Sequence, residues 1–262
     1  MINQANILGI GVDAIDMDSA VADIKSALNR YRKGYICLCG VHGVMQAQED
    51  TEFCAALANA LMVCPDGMPT VWVGHFQGFK QMKRVFGPEL MIEIIGRPEF
   101  VDCTHFLCGG DDGVAESLRI CLKARFPHAK IVGTYTPPFC EMDDGEECKL
   151  SEMVSNCRPD IMWIGLSTPK QELFMARHLY RLDTTLMIGV GAAFLFHTGK
   201  IRDSTPWVKQ AGLQWLHRLL QEPSRLWRRY LVSNPKFIAK LALQVVGLKQ
   251  YDLNSRNVLD DK

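Results

Sequence analysis

The sequence lacks a hydrophobic run long enough to cross a bilayer, because none of its apolar stretches reaches the roughly 18 residues that a spanning helix requires. The N-terminal stretch MINQANILGIGVDAID has no basic segment and carries early acidic residues, which is atypical of a signal peptide. Hydrophobic residues make up 48% of the 262 residues and charged residues only 22%, which disfavours disorder. The composition therefore predicts an ordered chain with a sizeable core.

The cysteines show no pattern typical of metal or disulfide chemistry. There are ten of them, scattered along the chain, with no CxxC pair and no His/Cys spacing typical of a zinc site. Reduced cysteines in a core are the usual state in a cytosolic protein. The sequence therefore predicts a cytoplasmic protein with reduced cysteines and without a bound metal.

Positive and negative charges balance over the whole chain but are unevenly distributed along it. The formal net charge is zero, yet residues 200–262 hold 12 Lys or Arg and 5 Asp or Glu, whereas residues 1–199 hold 17 and 24. Such asymmetry indicates that the basic part meets an anion: nucleic acid, a phosphorylated substrate or an anionic membrane. Nucleic acid is disfavoured, because the basic region is rich in Leu, Trp and Val and has no recognition-helix motif.

Short apolar runs alternate with amphipathic segments, which predicts an α/β fold with a mainly parallel sheet flanked by helices. The predicted strands are Tyr35–Cys39, Leu61–Cys64, His105–Cys108, Ala129–Gly133, Ile161–Leu166 and Thr185–Val190. The predicted helices between them are Ser19–Arg32, Asp50–Ala60, Gly113–Phe126 and Pro169–Leu182. Ligands of such folds bind at the carboxyl ends of the strands.

The C-terminal part has a different pattern, typical of a helical appendage. Thr205 and Pro206 suit the start of a helix, Pro223 that of a second, and Asn234-Pro235 that of a third ending at Gly247. The tail after Leu248 is polar and is expected to fray. We therefore predict a catalytic α/β domain at residues 1–195 and a basic amphipathic appendage at 196–262, whose removal would abolish turnover but leave a folded core.

Three polar or glycine-containing stretches follow predicted strands. Asp66, in Pro65-Asp66-Gly67, is either a turn residue or a general base held at a strand end. Gly109 and Gly110, in FLCGGDDG, suit a βα turn or a nucleotide phosphate, although the GxGxxG spacing of nicotinamide sites is absent. In GLSTPKQELF, Thr168 as N-cap, Pro169 and Gln171 fit a capping box, but Gly165, Lys170, Gln171 and Glu172 exceed what a cap requires.

Two further stretches carry candidate binding residues. Gly189, Gly191, Ala192 and Ala193 are small and allow a ligand or a helix to approach closely, whereas His197 more often reports packing. Arg218, Arg225 and Arg228 would share roughly one face of a continuous helix. That face is either a solvated surface, a diphosphate site or a contact with anionic lipid.

Together these stretches resemble one family. PDGMPTVW, RVFGPEL, GLSTPKQE and GVGAAFLFHTGKIRDSTPWVKQAGLQWLHRLLQEPSRLWRRY resemble, in order and spacing, the successive motifs of bacterial glycosyltransferase family 26 over roughly residues 8–232. That family includes enzymes of wall teichoic acid, enterobacterial common antigen and exopolysaccharide synthesis. The resemblance implies a Rossmann-like domain and an inverting, metal-independent transfer from a UDP-sugar to a polyprenyl-diphosphate-linked glycan. It also implies a peripheral location on the inner face of the plasma membrane.

The resemblance also implies roles for individual residues. Asp66 would be the general base, with Gly67 beside it, and Arg84 and Gln171 would be catalytic. Arg218, Arg225 and Arg228 would close over the nucleotide diphosphate. The remaining substrate-binding residues would be Gly109, Gly110, Gly165, Glu172, Gly191 and Ala192, and no cofactor beyond the UDP-sugar substrate is implied.

One stretch departs from the family pattern. Where many members have Thr-x-Asn, this chain has Leu38-Cys39-Gly40, followed by Val41-His42. His42 could replace the missing polar group in catalysis or cap the following helix, and the departure is closer to the exopolysaccharide branch. Two other functions stay open: a UDP-binding regulatory module without turnover, and a surface-binding protein whose α/β part is scaffold. Oligomerisation also stays open, because the segment after Asn234 could pack on the core, on lipid or on another subunit.

Overall fold

A computed structural model describes residues 3–138 and 142–254 of the chain. Its strands are β1 (Gln4–Ile7), β2 (Ile10–Asp13), β3 (Gly34–Cys39), β4 (Met62–Pro65), β5 (Thr104–Gly109), β6 (Lys130–Tyr135), β7 (Ile161–Gly165) and β8 (Leu186–Gly189). Its helices up to β8 are α1 (Met17–Asn29), α2 (Val41–Ala47), α3 (Thr51–Ala58), α4 (Met68–Phe76), α5 (Gly87–Gly96), α6 (Val114–Arg125), α7 (Asp144–Cys157) and α8 (Lys170–His178). Those after β8 are α9 (Ala193–His197), α10 (Pro206–Gln210), α11 (Gln214–Gln221), α12 (Pro223–Trp227), a π-helical turn (Arg228–Val232) and α13 (Ser233–Val245).

Six strands form one sheet in the order β4-β3-β8-β7-β5-β6, and helices flank it. The pairs β3–β8, β8–β7, β7–β5 and β5–β6 are parallel. Most strand residues are buried on both faces, as parallel sheets between helices require. The predicted α/β, Rossmann-like fold with C-terminal helices is therefore confirmed.

By its internal contacts the chain divides into two compact units. Unit 1 contains the described residues of Met1–Met17, Leu38–Phe86 and Asp203–Lys262, and unit 2 contains Asp18–Cys37 and Gly87–Arg202. This division differs from the predicted boundary at residue 195, because the C-terminal helices pack within unit 1, where α13 contacts α2.

Unit 1 contains an antiparallel hairpin, β1–β2, that the periodicity of the sequence does not predict. Its turn residues Leu8 and Gly9 both have positive φ, of 51° and 87°. Asp13, at the end of β2, is buried, and its carboxylate accepts hydrogen bonds from Val63 N at 2.8 Å and Gln4 Nε2 at 3.0 Å. The bond to Val63 attaches the hairpin to β4, and both bonds satisfy a carboxyl group that would otherwise be costly to bury.

Unit 2 is built around the buried strands β5, β7 and β8. Trp163 and Phe106 are among its largest fully buried side chains, together with Phe194 of α9. Phe194 lies where a side chain at Gly165 would be, since a Cβ added there would come within 2.7 Å of its ring. The glycine at the end of β7 therefore allows α9 to pack against the sheet.

The C-terminal helices differ from their predicted course. Gly212, with φ of +70°, separates α10 from α11, so the chain between Thr205 and Pro223 forms two helices where the sequence predicts one. Asn234 and Pro235 lie in the first turn of α13, as predicted, but its N-cap is Val232. The tail after Leu248 is attached as far as the structure describes it, since Asn254 N donates to Gly9 O at 2.9 Å. The part of this predicted frayed tail beyond Asn254 lies outside the described residues.

None of the nine described cysteines forms a disulfide within the described residues. Of these nine, Cys37, Cys39, Cys64, Cys103 and Cys108 are buried. Cys121 and Cys148 are exposed, so the expectation that the cysteines belong to the core is wrong for those two.

Candidate functional site

The turn after β4 places Asp66 at the carboxyl end of a strand. Asp66 N donates to Cys39 O at 3.1 Å, so the turn is attached to the end of β3. The N-cap of α4 is Gly67, with φ of +112°, whose carbonyl accepts from Thr70 Oγ1 at 2.8 Å. Asp66 is therefore not the N-cap of α4. Its carboxylate is half-buried beside the strand end.

The turn after β3 packs directly on the Asp66 backbone. A Cβ added at Gly40 would lie 2.4 Å from Asp66 O, so this position has no room for a side chain. Gly40 is the N-cap of α2, and His42 lies half-buried in the first turn of that helix. His42 is therefore not the N-cap residue of α2. It lies two residues after Gly40, which contacts the Asp66 backbone.

The segment before α5 brings a cation to the same corner of unit 1. Val85 N donates to Pro65 O at 2.8 Å, which fixes the backbone next to Arg84 against the end of β4. The Arg84 guanidinium lies 4.6 Å from the ring centre of Phe86 and donates to Gln214 Oε1. The structure thus brings Asp66, His42 and Arg84 to adjoining backbone segments.

The appendage arginines do not share one helix, because the chain breaks between α11 and α12. Arg218 Nη2 and Arg225 Nη2 nevertheless meet at one carboxylate, donating to Glu222 Oε2 at 3.0 and 2.9 Å. Arg228 begins the π-helical turn that directly follows α12 and is exposed, 5.3 Å from the ring centre of Trp227. The predicted continuous helix through all three arginines is therefore wrong, although Arg218 and Arg225 form a cluster around Glu222.

In unit 2, the glycines at the ends of β5 and β7 lie against each other. Gly109 pairs with Gly165, and a Cβ added at Gly109, where φ is +135°, would lie 2.6 Å from Gly165 O. Gly110 N donates to that same oxygen at 3.1 Å. Helix α6 follows, with Gly113 as an N-cap that makes no side-chain capping bond. Because glycine has no side chain, Gly113 cannot donate or accept a side-chain hydrogen bond at the first turn of α6.

Gln171 and Glu172 are buried where α8 begins. Gln171 Oε1 accepts from Gly191 N at 2.9 Å, and Gln171 Nε2 donates to Glu172 Oε1 at 3.1 Å. Thr168 Oγ1 donates to that oxygen at 2.8 Å. The predicted capping box is therefore wrong: Pro169 is the N-cap of α8, and the side chain of Gln171 attaches α8 to the turn after β8.

Gly191 and Ala192 complete the strand-end cluster of unit 2. Gly191 has φ of +53°, and Ala192 is the N-cap of α9. His197, at the end of that helix, makes a 2.9 Å contact to Pro88 O, in line with the packing role expected for it. The small residues after β8 thus allow the close approach of Gln171.

Sequence reasoning missed two residues that hold candidate site residues in place. Glu222 could have been found, since it is the one acidic residue between Arg218 and Arg229. Gln214, the acceptor for Arg84, gives no such signal, because it lies in a different segment of the chain.

The described residues contain no group of three or more His, Cys, Asp or Glu side chains arranged to hold a metal ion. In the same residue ranges, none of the helices has the length and hydropathy needed to cross a membrane.

Comparison with known proteins identifies the family. The model of the glycosyl transferase WecG/TagA/CpsF family matches residues 5–251. Relatives named N-acetylglucosaminyldiphosphoundecaprenol N-acetyl-beta-D-mannosaminyltransferase include a Bacillus subtilis protein, 24% identical over 73% of this chain and 72% of its own. One from Bacillus spizizenii is 23% identical over 85% and 84%, and one from Staphylococcus aureus strain MW2 is 24% identical over 91% and 92%. The chain therefore belongs to the glycosyl transferase WecG/TagA/CpsF family and is a glycosyltransferase.

Proposed function

We propose that this protein transfers a sugar from a UDP-sugar to a hydroxyl of a polyprenyl-diphosphate-linked glycan, in the synthesis of a bacterial surface polysaccharide. The position of Asp66 carries the proposal, because a half-buried carboxylate at a strand end suits a general base. The names of the relatives support the acceptor class, since each describes transfer to a diphosphoundecaprenol-linked sugar.

The transfer is a single displacement that inverts the anomeric carbon. The acceptor hydroxyl attacks that carbon while Asp66 takes the hydroxyl proton. The new C–O bond forms as the bond from the anomeric carbon to the diphosphate oxygen breaks, and UDP leaves with the bonding electrons. His42, on the adjoining turn, is the second candidate for the proton acceptor.

Negative charge grows on the leaving diphosphate, and fixed cations stabilise it as it develops. Arg84, Arg218, Arg225 and Arg228 are the candidates, and with them the reaction needs no divalent metal. Arg218 and Arg225 share one carboxylate, so their cluster keeps a positive charge. Phe86 and Gln214 hold Arg84 in one orientation, which lowers the entropy lost when an anion binds.

The donor nucleotide is assigned to the strand ends of unit 2. Gly109 and Gly110 lead into α6, and the N–H groups at the start of that helix favour phosphate. Gly165, Gly191 and Ala192 supply the neighbouring small residues. Gln171 and Glu172 are positioning residues in this assignment, because Gln171 accepts from Gly191 N in the turn after β8 and donates to Glu172.

The same proposal places the protein on the inner face of the plasma membrane. Large apolar side chains of the C-terminal helices are exposed, among them Trp207 at 65% and Leu220 at 75%. Arg225 and Arg228 are exposed on the same part of the chain. Apolar and basic side chains together favour binding to an anionic lipid surface.

The deciding experiment measures UDP release with a panel of UDP-sugars and a polyprenyl-diphosphate-linked acceptor, with and without EDTA. We expect Asp66→Asn to lower kcat by about 10²–10⁴-fold and to leave UDP affinity nearly unchanged, because the amide keeps the shape of the side chain but cannot take the proton. Acceptor-dependent release should persist in EDTA.

Glu52→Gln is the matched control, because Glu52 is an exposed carboxylate on α3 of the same unit. Equal turnover by wild type and Asp66→Asn would move the base to His42, which His42→Ala would then test. UDP binding without release for every donor and acceptor would favour the regulatory UDP-binding module.

A further inference from the structure

Unit 1 contains a large groove between α4 and the C-terminal helices, with a volume of about 950 Å³. Trp72 and Phe76 of α4 line one side, and Tyr230, Ile238 and Val245 line the other. The volume is at the upper end of the ~300–1,000 Å³ typical of small-molecule sites. The groove is therefore large enough for a ligand with an extended apolar part.

The wall of this groove is apolar and uncharged. Among the described residues that line it, the polar side chains are amides and the Tyr230 hydroxyl, and there is no Asp, Glu, Lys, Arg or His. Phe76 is 71% exposed and Ile238 65%, so much of this wall faces solvent. A contiguous apolar surface of this kind indicates a binding site for an apolar group.

The wall is part of the packed fold. The turn between α10 and α11 approaches α4 so closely that a Cβ at Gly212 would lie 2.8 Å from the Trp72 ring. Further along, the rings of Trp215 and Tyr230 lie with their centres 5.8 Å apart. These contacts involve three of the aromatic groups that line the groove, Trp72, Trp215 and Tyr230.

Several lining residues neighbour the candidate catalytic residues in the chain. Val41 adjoins His42, and Pro69 follows the Asp66-Gly67 turn. Leu213 adjoins Gln214, the side chain that accepts from Arg84. An uncharged groove lined by Leu213, next to the Gln214 side chain that contacts Arg84, is complementary to an amphiphile with an apolar chain and an anionic head.

We propose that this groove binds the first isoprene units of the acceptor's polyprenyl chain, those next to the diphosphate. This inference rests on the proposed function and adds to it a site for the lipid itself. In this proposal the enzyme recognises the lipid carrier directly, through the polyprenyl chain as well as the attached sugar. Exposed apolar residues outside the groove, such as Leu220, then serve only the bilayer surface.

Binding of prenyl diphosphates without detergent or membrane tests the proposal. Calorimetry should show affinity that rises from pyrophosphate through geranyl to farnesyl diphosphate, because a longer chain fills more of the groove. Ile238→Ser and Phe76→Ser should each weaken farnesyl diphosphate binding by about tenfold. Both side chains are largely exposed, so the variants should fold, which thermal unfolding checks.

Leu220→Ser is the matched control, because Leu220 is 75% exposed but does not line the groove. Its farnesyl diphosphate affinity should equal that of wild type. Equal affinity of the groove variants and this control, or no dependence on chain length, would refute the proposal. A dimer dissociated by Ile238→Ser but not by Leu220→Ser would instead assign the groove to a second copy of the chain.

The binding experiment and the transfer experiment can refute their two proposals separately. If UDP release from a lipid-linked acceptor is intact in Ile238→Ser and farnesyl diphosphate binding is unaltered, the groove assignment falls and the glycosyl transfer stands. If farnesyl diphosphate binding is lost in Ile238→Ser while wild type transfers no sugar to any acceptor, the groove stands and the transfer falls.

Discussion

His105 is a buried histidine on β5 that the proposed reaction does not use. Its side chain is 1% exposed, and Trp163 Nε1 donates to its Nδ1 at 3.3 Å. Burial lowers the pKa of His105 to about 4, although the nearby Asp160 carboxylate acts in the opposite direction. The fold therefore holds the neutral ring, and the proton on this ring sits on Nε2.

This lowered pKa predicts a pH-dependent stability. The unfolded chain binds a proton at His105 below pH about 6.5, whereas the folded chain does so only below about 4. The contribution of His105 to the free energy of unfolding is therefore fully present above pH 6.5. As the pH falls towards 4, the free energy of unfolding decreases by about 3 kcal/mol through this site. Chemical unfolding of wild type and His105→Gln across this range measures it.

His105→Gln should flatten this part of the pH profile, since glutamine can accept the Trp163 hydrogen bond but does not titrate. His128→Gln is the control, because His128 is an exposed histidine after α6, where its ring contacts Ile95 O at 3.2 Å. Parallel profiles for wild type and His105→Gln would show that another group causes the acid sensitivity.

At the scale of single helices, the N-caps separate into those with and without a side-chain bond. Asp50 accepts from Phe53 N at 3.0 Å at the start of α3. Thr205 precedes α10, where the sequence predicts a cap, yet its side chain makes no capping bond. Both residue types favour N-caps, but only Asp50 makes the side-chain hydrogen bond of a cap, whereas Thr205 does not.

The two caps predict different costs of substitution. Asp50→Ala should lower the free energy of unfolding by about 1 kcal/mol, whereas Asp50→Asn, which can still accept from Phe53 N, should be nearly neutral. Thr205→Ala should change stability by less than about 0.5 kcal/mol. Urea unfolding of the three variants decides this, and a cost at Thr205 equal to that at Asp50 would contradict it.

The strands of the sheet could be predicted because parallel strands are buried on both faces and appear as short apolar runs. The β1–β2 hairpin could not, since its turn has Leu8 in the left-handed conformation that Asn or Gly usually adopts. At the candidate site, the position of Asp66 after β4 follows from the same apolar runs. The hydrogen bond between Gln171 and Gly191 could not be predicted from these runs, because it joins residues in two different turns.

At the scale of the whole molecule, the C-terminal segment is part of unit 1. Gln244 Oε1 accepts from Leu8 N at 3.1 Å, and Asn6 Nδ2 donates to Tyr251 O at 2.8 Å. Phe237 is only 3% exposed. Removing these residues would expose apolar surface of unit 1 and leave backbone groups of the hairpin without partners.

A chain ending at residue 202 should therefore lose more than turnover. Hydrogen exchange should show faster exchange in β1, α2 and α4 of unit 1, while the amides of β5, β7 and β8 in unit 2 stay protected, because stability differs between parts of a structure. A chain ending at Asn254 is the control, since it keeps every contact the structure describes. Unchanged protection in unit 1 of the shorter chain would support the original expectation that residues 1–195 form a core that folds without the appendage.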